Sequence, residues 1–275
     1  SITLNSPNFL RFGSTPLYEN FYAGSIDEVR LYGAVLTAVQ VHRLYANLLS
    51  QIVPDTGQTA SYTATVGEDN DYTANVPVYT DNGDGTITDN VTNLMWEQVD
   101  DNTTRDWTTA QSYCTSLTLA THTDWRLPNI RELTQIADYG NNGPSINALF
   151  TGTDNADYWS NTANAINTSN AWAVDFNLGI SAGASDKAGS SYVVRCVRGA
   201  ETTASTYSNN ANVVTDLKTG LVWQRDDNPG VDTWENALTY CEGLVLDGDN
   251  DWRLPNVKEI LSIVEYTANA APTIN

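Results

Sequence analysis

The sequence predicts a mixed α+β protein built from a tandem repeat. Residues 87–141 align without a gap with residues 214–268, at a constant offset of 127 positions. Within each copy, apolar residues at helical spacing lie between short runs of β-branched and aromatic residues. Helices and strands that are mixed in this order are typical of an α+β unit with a mostly antiparallel sheet.

The strongest repeated motif is the segment TDWRLPNIREL at 123–133, which recurs as NDWRLPNVKEI at 250–260. Its Asn is a good helix N-cap, and the Glu three residues later can bond back to the backbone of the cap. We expect the Trp to fill the core and Arg126 to pair with Asp124 or with a buried carbonyl oxygen. The motif is therefore interpreted as a structural joint, with the residues Trp125, Arg126, Asn129, Glu132, Trp252, Arg253, Asn256 and Glu259.

Two helices are predicted in each copy. In the first copy, Asp106 is the expected cap of a helix in which Trp107, Ala110, Cys114 and Leu117 share one face. A second helix begins after Asn129 and ends near 139–143. Strands are predicted at TITD, NLMWE, DYWSN, AWAVDF and SYVVRCVRG. Three tryptophan pairs recur in the repeat and are predicted to be structural: Trp96 with Trp223, Trp107 with Trp234, and Trp125 with Trp252.

The three cysteines are not equivalent. Cys114 has Cys241 as its counterpart in the repeat, whereas Cys196 lies in a segment that the second copy lacks. We predict a disulfide between Cys114 and Cys196, with Cys241 left over. Three buried thiols are the alternative.

The repeat divides the chain into four predicted parts. Residues 78–199 form a complete α+β domain, and residues 200–275 form the N-terminal half of a second one, without a counterpart of residues 158–199. Residues 49–77 are expected to be a linker or leading strands. The GSIDEVRLY segment (residues 24–32) in residues 1–48 resembles the end of a laminin-G-like jelly roll, which implies an all-β remnant. We expect the chain to be either a piece of a longer modular polypeptide or a subunit completed by neighbouring molecules.

Charge and composition exclude several classes of partner. Thirteen Lys and Arg against 33 Asp and Glu give a formal net charge of −20, which repels phosphate backbones and anionic membranes. No stretch approaches the length of a membrane-spanning segment. A composition rich in Asn, Thr, Ser, Gly and Tyr is typical of exported surface proteins, so we expect a secreted or cell-surface location.

Several motifs together resemble one family. DNGDGTITDNVTNLMW, YC, DWRLPNIREL, YWSN, AWAVDF and YVVRCVRG are similar to the C-terminal domain of the Legionella collagen-like adhesin. Asn93 departs from the usual glycine, which Gly220 keeps in the second copy. The resemblance implies a secreted or surface-attached protein and a C-type-lectin-like fold, similar to that of the formylglycine-generating enzyme. It implies no catalytic activity.

The sequence contains two candidate binding sites, each with an alternative structural interpretation. Asp81, Asn82 and Asp84 lie close together as in a calcium loop, but Asn-Gly and Asp-Gly are strong hairpin signals and the second copy loses every carboxylate. A turn is therefore favoured over a calcium site.

A lectin surface requires aromatic platforms and polar groups. The candidate residues are Tyr158, Trp159, Asn161, Trp172 and Asp175, although a core position is favoured for both tryptophans.

Catalysis has little support in the sequence. His42 and His122 are the only histidines, and neither has the spacing of a metal site or a triad. We predict no catalytic residue and no cofactor, with calcium as the alternative. The predicted function is a non-enzymatic extracellular protein for adhesion or filament assembly, which associates with itself or with neighbouring modules. A glycan-binding module and an enzyme of the formylglycine-generating or glycosidase type are the alternatives.

Overall fold

The computed structural model describes residues 52–227, Gly230 and residues 233–268, without the side chains of 181 and 182. The predicted jelly-roll remnant at 1–48 lies outside the described residues. The remainder contains runs of strands separated by pairs of helices, so the chain is a mixed α+β protein. None of the helices within the described part is long and apolar enough to span a membrane.

The described residues form four α-helices, two in each copy of the repeat. They are α1 (Trp107–Ser116), α2 (Ile130–Gln135), α3 (Trp234–Glu242) and α4 (Val257–Ile263). Asp106 caps α1, because its side chain accepts a hydrogen bond from the Thr109 amide. Asn129 and Asn256 cap α2 and α4, each within a complete capping box. The predicted helix starts are therefore confirmed, whereas α2 ends earlier than its apolar pattern suggests.

A four-stranded sheet closes one side of the first unit. Its strands are β1 (Tyr79–Asp81), β2 (Thr86–Asp89), β3 (Met95–Glu97) and β7 (Val197–Arg198), in the order β1-β2-β3-β7. All three pairings are antiparallel. The last strand comes from far along the chain, and Trp96 lies opposite Val197 in the register.

A separate three-stranded antiparallel sheet completes the first unit. It consists of β4 (Asp157–Ala163), β5 (Asn170–Asp175) and β6 (Ile180–Asp186). Strand β6 was not predicted, because its sequence ISAGASD consists mostly of small residues with weak strand propensity. It pairs along the whole of β5, so its neighbour in the sheet determines its conformation.

Within the described residues, the second unit repeats the first sheet without a counterpart of β7. Strands β8 (Tyr207–Asn209), β9 (Val213–Asp216) and β10 (Val222–Gln224) pair in the order β10-β9-β8. They correspond to β1, β2 and β3 by the offset of the repeat. Among the strands that the structure describes, β10 is thus an outer strand of its sheet, whereas β3 is paired with β7.

Residues 52–77 pack against both units. They contain a 3-10 helix (Asp69–Asp71), and the backbone oxygen of Thr56 accepts from the Tyr139 amide of the first unit. The Tyr72 hydroxyl bonds to Glu242 of the second unit. This segment therefore joins the two units in addition to connecting along the chain.

A buried lysine and an aromatic pair also hold the two units together. Lys258 on α4 is 3% exposed, and its Nζ donates to the backbone oxygens of Asp55 and Gln135, each at 2.9 Å. Tyr266 of the second unit packs edge-on against Trp172 of the first, with ring centroids 5.4 Å apart. Burial lowers the pKa of the Lys258 ammonium to about 8.

Candidate functional site

The repeated joint is built around a buried carboxylate. Glu132 is fully buried, and both of its oxygens accept from the Arg126 guanidinium at 2.7 Å. The Asn129 amide donates to Glu132 at 2.9 Å, and the Glu132 amide donates to the Asn129 side chain at 2.9 Å. The Thr202 amide donates to the same carboxylate at 2.8 Å. The joint therefore fixes α2 to the loop before it through one carboxylate.

Arg126 was predicted to pair with Asp124 or with a buried carbonyl oxygen. It does not pair with Asp124, but its guanidinium donates to the Gly199 backbone oxygen at 3.3 Å. Asp124 instead accepts from Arg198 on β7, at 2.8 Å, while Arg126 reaches forward to the first turn of α2. The fork of a guanidinium fits both oxygens of a carboxylate, and the buried Glu132 gains more from such a partner than the exposed Asp124 does.

The second joint repeats this arrangement. The Arg253 guanidinium donates to Glu259 at 2.6 Å, and the Asn256 amide donates to the same carboxylate at 2.9 Å. Arg253 also lies over the ring of Tyr72, 5.4 Å from its centroid. The motif thus forms the same local structure in both units and acts as a structural element.

The predicted disulfide between Cys114 and Cys196 is present, with the two Cα atoms 5.5 Å apart. Both cysteines are fully buried, in a cluster with Trp125, Leu127 and Trp159. The bond links α1 to the chain immediately before β7. Within the described residues Cys241 is a free, half-buried thiol.

A buried ion pair beside the disulfide was not predicted. Arg195 and Asp100 are both fully buried as side chains and lie 2.8 Å apart. The Arg195 guanidinium also donates to the backbone oxygens of Glu97 and Gln98, each at 2.7 Å, and the Tyr158 hydroxyl donates to Asp100 at 2.8 Å. An arginine flanked by valine and cysteine in the predicted strand SYVVRCVRG was the available signal, because a buried charge requires a partner.

The predicted lectin surface does not form at Tyr158 and Trp159. Both side chains are fully buried, and the Trp159 indole nitrogen donates to the backbone oxygen of Arg105 at 2.8 Å. Trp172 is half-buried against Tyr266, and Asp175 accepts from the Asn177 amide at 2.7 Å. Tyr158 and Trp159 are adjacent on β4 and therefore point to opposite faces of the sheet, and each is buried because a separate hydrophobic cluster covers its face.

Asn161 lies on a polar cleft between the two units. We define the polar cleft by Asn129, Asn161, Thr162, Asn164, Glu201 and Thr202 together with Glu265 and Thr267, around a volume of about 560 Å³. The Asn161 side-chain amide donates to Glu201 at 3.5 Å. Of the five predicted ligand residues, Asn161 is the one that lines this cleft.

The acidic loop at 79–88 forms a hairpin turn between β1 and β2. The carboxylate of Asp81 accepts from the Gly83 amide at 2.8 Å, and that of Asp84 accepts from the Thr86 amide at 3.1 Å. The Asn82 side chain donates to Thr86 at 2.9 Å, and Gly83 has a φ of 72°, which favours glycine. Within the described part of the chain, no group of three or more His, Cys, Asp or Glu is arranged to hold a metal ion.

The second unit contains a cavity of about 620 Å³. We call it the open cavity. Trp223 on β10, Cys241 on α3 and Leu254 of the joint line it, and Asp227 lies at its edge. In the first unit the corresponding space is filled by Trp159, Val194 and Cys196. The open cavity is therefore the position in the second unit at which the first unit has its disulfide-linked strand.

The tryptophans of the second unit are less buried than their counterparts in the first unit. Trp96 and Trp125 are buried in the first unit, whereas their counterparts Trp223 and Trp252 are half-buried. Trp234, predicted to be structural, is 48% exposed. Its counterpart Trp107 donates from its indole nitrogen to the Ser160 backbone oxygen at 2.7 Å, on strand β4.

Comparison with known families gives a match to both units. The sequence model of the family described as Lcl C-terminal domain matches residues 85–198 and again residues 212–275. The two matched segments correspond to the two units, the second of them in truncated form. A comparison with curated proteins found no match.

Proposed function

Because the chain belongs to the Lcl C-terminal domain family, we propose that it is a non-enzymatic extracellular protein that acts in adhesion or in the assembly of a surface structure. The family suggests an adhesin-like surface protein. In this proposal each unit has a C-type-lectin-like fold and serves as a rigid module. A disulfide between fully buried cysteines supports an extracellular location, because such bonds persist in oxidising compartments.

One observation carries the non-enzymatic part of the proposal. The charged side chains at the centre of the first unit are bonded to one another: Arg126 to Glu132, Arg195 to Asp100, and Glu97 to Tyr113 and the Cys196 amide. Burial raises the pKa of the Glu97 carboxyl, but this group faces Tyr113 and the disulfide rather than the polar cleft. Groups that satisfy one another in this way stabilise a scaffold.

The assembly role is tested with the native material. Negative-stain electron microscopy and light scattering measure the size of the particles that the full chain forms. Ordered polymers of a 30.0 kDa subunit support the assembly role, and attachment of chain-coated beads to cells supports the adhesive role. Monomers at every concentration, together with beads that do not attach, contradict the proposal.

A second function, glycan binding, is favoured by the polar cleft. Asn161, Thr162 and Asn164 line it, and amide and hydroxyl groups recognise sugar hydroxyls through hydrogen bonds. On a glycan array, the full chain should bind specific glycans, and Asn161→Ala should reduce that binding at least fivefold. Asn177→Ala, at an exposed position outside the cleft, is the matched control. Equal binding by the two variants contradicts a site in the cleft.

A further inference from the structure

We propose that each unit carries a self-complementary surface, and that the partner this surface fits is a second copy of the unit. The surface consists of the helix that follows the joint and of the turn after that helix. We call it the pairing face, and its defining residues are Arg131, Asp138 and Tyr139 with α2 in the first unit, and Lys258, Glu265 and Tyr266 with α4 in the second. These residues occupy the same three positions of the repeat. This inference goes beyond the proposed function and holds whether the chain adheres or assembles.

The two helices pack side by side in opposite directions. Lys258, in the first turn of α4, donates to the oxygen of Gln135, the last residue of α2, at 2.9 Å. Arg131, in the first turn of α2, donates at 2.5 Å to the oxygen of Val264, which caps the end of α4. The two acceptors are two positions apart in the repeat, so the symmetry is approximate. Each cation therefore satisfies a carbonyl group at the end of the other helix, where such groups lack partners within the helix.

Each pairing face carries both signs of charge. The Arg131 guanidinium lies 4.0 Å from the carboxylate of Glu265. Asp138, at the position of Glu265 in the repeat, acts on Lys258 in the same way: among the surrounding charged groups it has the largest effect on the pKa of that ammonium, and it favours the charged form. Because a cation and a carboxylate are present on each face and each meets its opposite, the charges would also match between two identical faces.

The tyrosines at the equivalent positions of the two faces lie close to each other. Tyr139 and Tyr266 pack on the same hydrophobic cluster. Burial, and after it the neighbouring Tyr266, raises the pKa of the Tyr139 hydroxyl to about 12. The Arg131 guanidinium lies over the ring of Tyr266, 5.5 Å from its centroid. In a two-fold contact the residues near the axis meet their own counterparts. The two tyrosines therefore place a local two-fold axis between the units.

The segments that precede the units are exchanged in the same sense. The Thr202 amide, before the first strand of the second unit, donates to Glu132 in the joint of the first unit at 2.8 Å. Asp69, before the first strand of the first unit, bonds to the side chain of Asn256 in the joint of the second unit. The reciprocal pattern thus extends beyond the pairing faces to the residues that lead into each unit.

A contact of this kind uses the same surface on both partners. In this chain the partners are its own two units. When the faces separate, each of them offers the same chemistry to a unit of another copy. A head-to-tail contact would present different residues on its two sides, and a freed face would then find no match on a copy of itself. A two-fold contact also closes on itself, so the pairing face joins two units and a filament requires a second contact.

The experiment disables one face of the full chain and leaves the other unchanged. Lys258→Ala with Glu265→Arg and Tyr266→Ala removes the buried cation and the ring, and it places a like charge beside Arg131. Hydrogen exchange of Val257–Ile263 shows whether the faces have separated, and slow exchange of Val213–Asp216 shows that the second unit remains folded. Sedimentation velocity measures association. We expect the freed first face to pair with that of another chain, with association about tenfold stronger than that of the unmodified chain.

Two further variants locate this association. Arg131→Glu, added to the triple variant, should return association to the level of the unmodified chain, because it removes the cation of the freed face. Arg225→Glu, at an exposed position outside the pairing faces, is the matched control and should leave the association of the triple variant within twofold. A triple variant that opens and does not associate, or that associates equally with Arg131→Glu, overturns the proposal. One that does not open overturns it too, because these residues would then not hold the units together.

A second design tests the symmetry inside one chain and decides the matter where the triple variant unfolds. Lys258→Arg with Glu265→Asp gives the second face the charged residues of the first, so two like faces meet. We expect exchange of Val257–Ile263 within threefold of the unmodified chain. Lys258→Glu with Glu265→Lys has the same two charges in exchanged positions, and it should speed that exchange about a hundredfold, because like charges then oppose each other. Separation of the units in the like-for-like variant, or equal exchange in both variants, overturns the proposal.

Discussion

The two units share a motif, and they differ in what surrounds it. Both contain the Arg–Glu pair and the capping box of the joint, with nearly the same distances. In the first unit β7 and the second sheet cover the core, and Trp96 is fully buried. In the second unit Trp223 lines an open cavity. The comparison teaches that local hydrogen bonds specify the joint, whereas closure of the core depends on strands that are distant in sequence.

The largest expected difference in stability is between variants of two aspartates at equivalent positions of the repeat, Asp100 and Asp227. Asp100→Ala leaves the buried Arg195 without its carboxylate, so we expect a loss of about 3–5 kcal/mol in the free energy of unfolding. Asp227→Ala, at the exposed counterpart, should change it by less than about 0.5 kcal/mol. Urea denaturation followed by tryptophan fluorescence measures both values. Asp100→Asn keeps a polar group and should fold even where the alanine variant does not. Equal losses at the two positions would contradict the comparison.

The disulfide cysteines of the first unit should contribute more to stability than the free cysteine of the second unit. Replacing both Cys114 and Cys196 by serine removes a crosslink between distant segments and should cost about 2–4 kcal/mol. Cys241→Ser removes a free thiol and should cost less than about 0.5 kcal/mol. Thermal unfolding under non-reducing conditions provides the measurement. A Cys241→Ser chain that is as unstable as the double variant would mean that Cys241 has a structural partner.

A pH effect distinguishes Lys258 from its counterpart Arg131. The folded-state pKa of Lys258 is lowered from 10.5 to about 8. The folded chain therefore releases this proton before the unfolded chain does, and stability rises between pH 8 and pH 9.5 by about 1–2 kcal/mol. The rise should be absent in Lys258→Met and unchanged in Arg131→Met, since arginine stays charged throughout this range. Urea denaturation at several pH values tests this prediction, and a rise that persists in Lys258→Met would refute it.

The smallest expected difference is between the two helix caps. Asn129→Ala and Asn256→Ala should each cost about 1 kcal/mol, the usual value of an N-cap. The two losses should be similar, because each cap side chain makes one further hydrogen bond: Asn129 donates to the Thr202 oxygen at 2.7 Å, and Asn256 bonds to the Asp69 carboxylate. Denaturation of the two single variants gives the comparison. A larger loss at Asn256 would show that the second joint bears more of the stability.

Features that depend on residues close together along the chain were predictable from the sequence, and so was the disulfide. The caps at Asp106, Asn129 and Asn256 follow from residue type and spacing, and the repeat identified the odd cysteine. The partner of Arg126 was predicted wrongly because Asp124 and Glu132 are both within reach along the chain, and burial decides between them. The Arg195–Asp100 pair and strand β6 depend on contacts between distant segments, which the local sequence does not encode.

The most direct test of the central claim is the exchange rate of two equivalent backbone amides. The Glu97 amide donates to Cys196 across the β3–β7 pairing, and the Gln224 amide occupies the same position in the second unit. Hydrogen exchange followed by nuclear magnetic resonance on the full chain measures both. We predict exchange of Gln224 at least a hundredfold faster than that of Glu97. Equal protection of the two amides in the chain alone would contradict the account, because β10 would then be covered already.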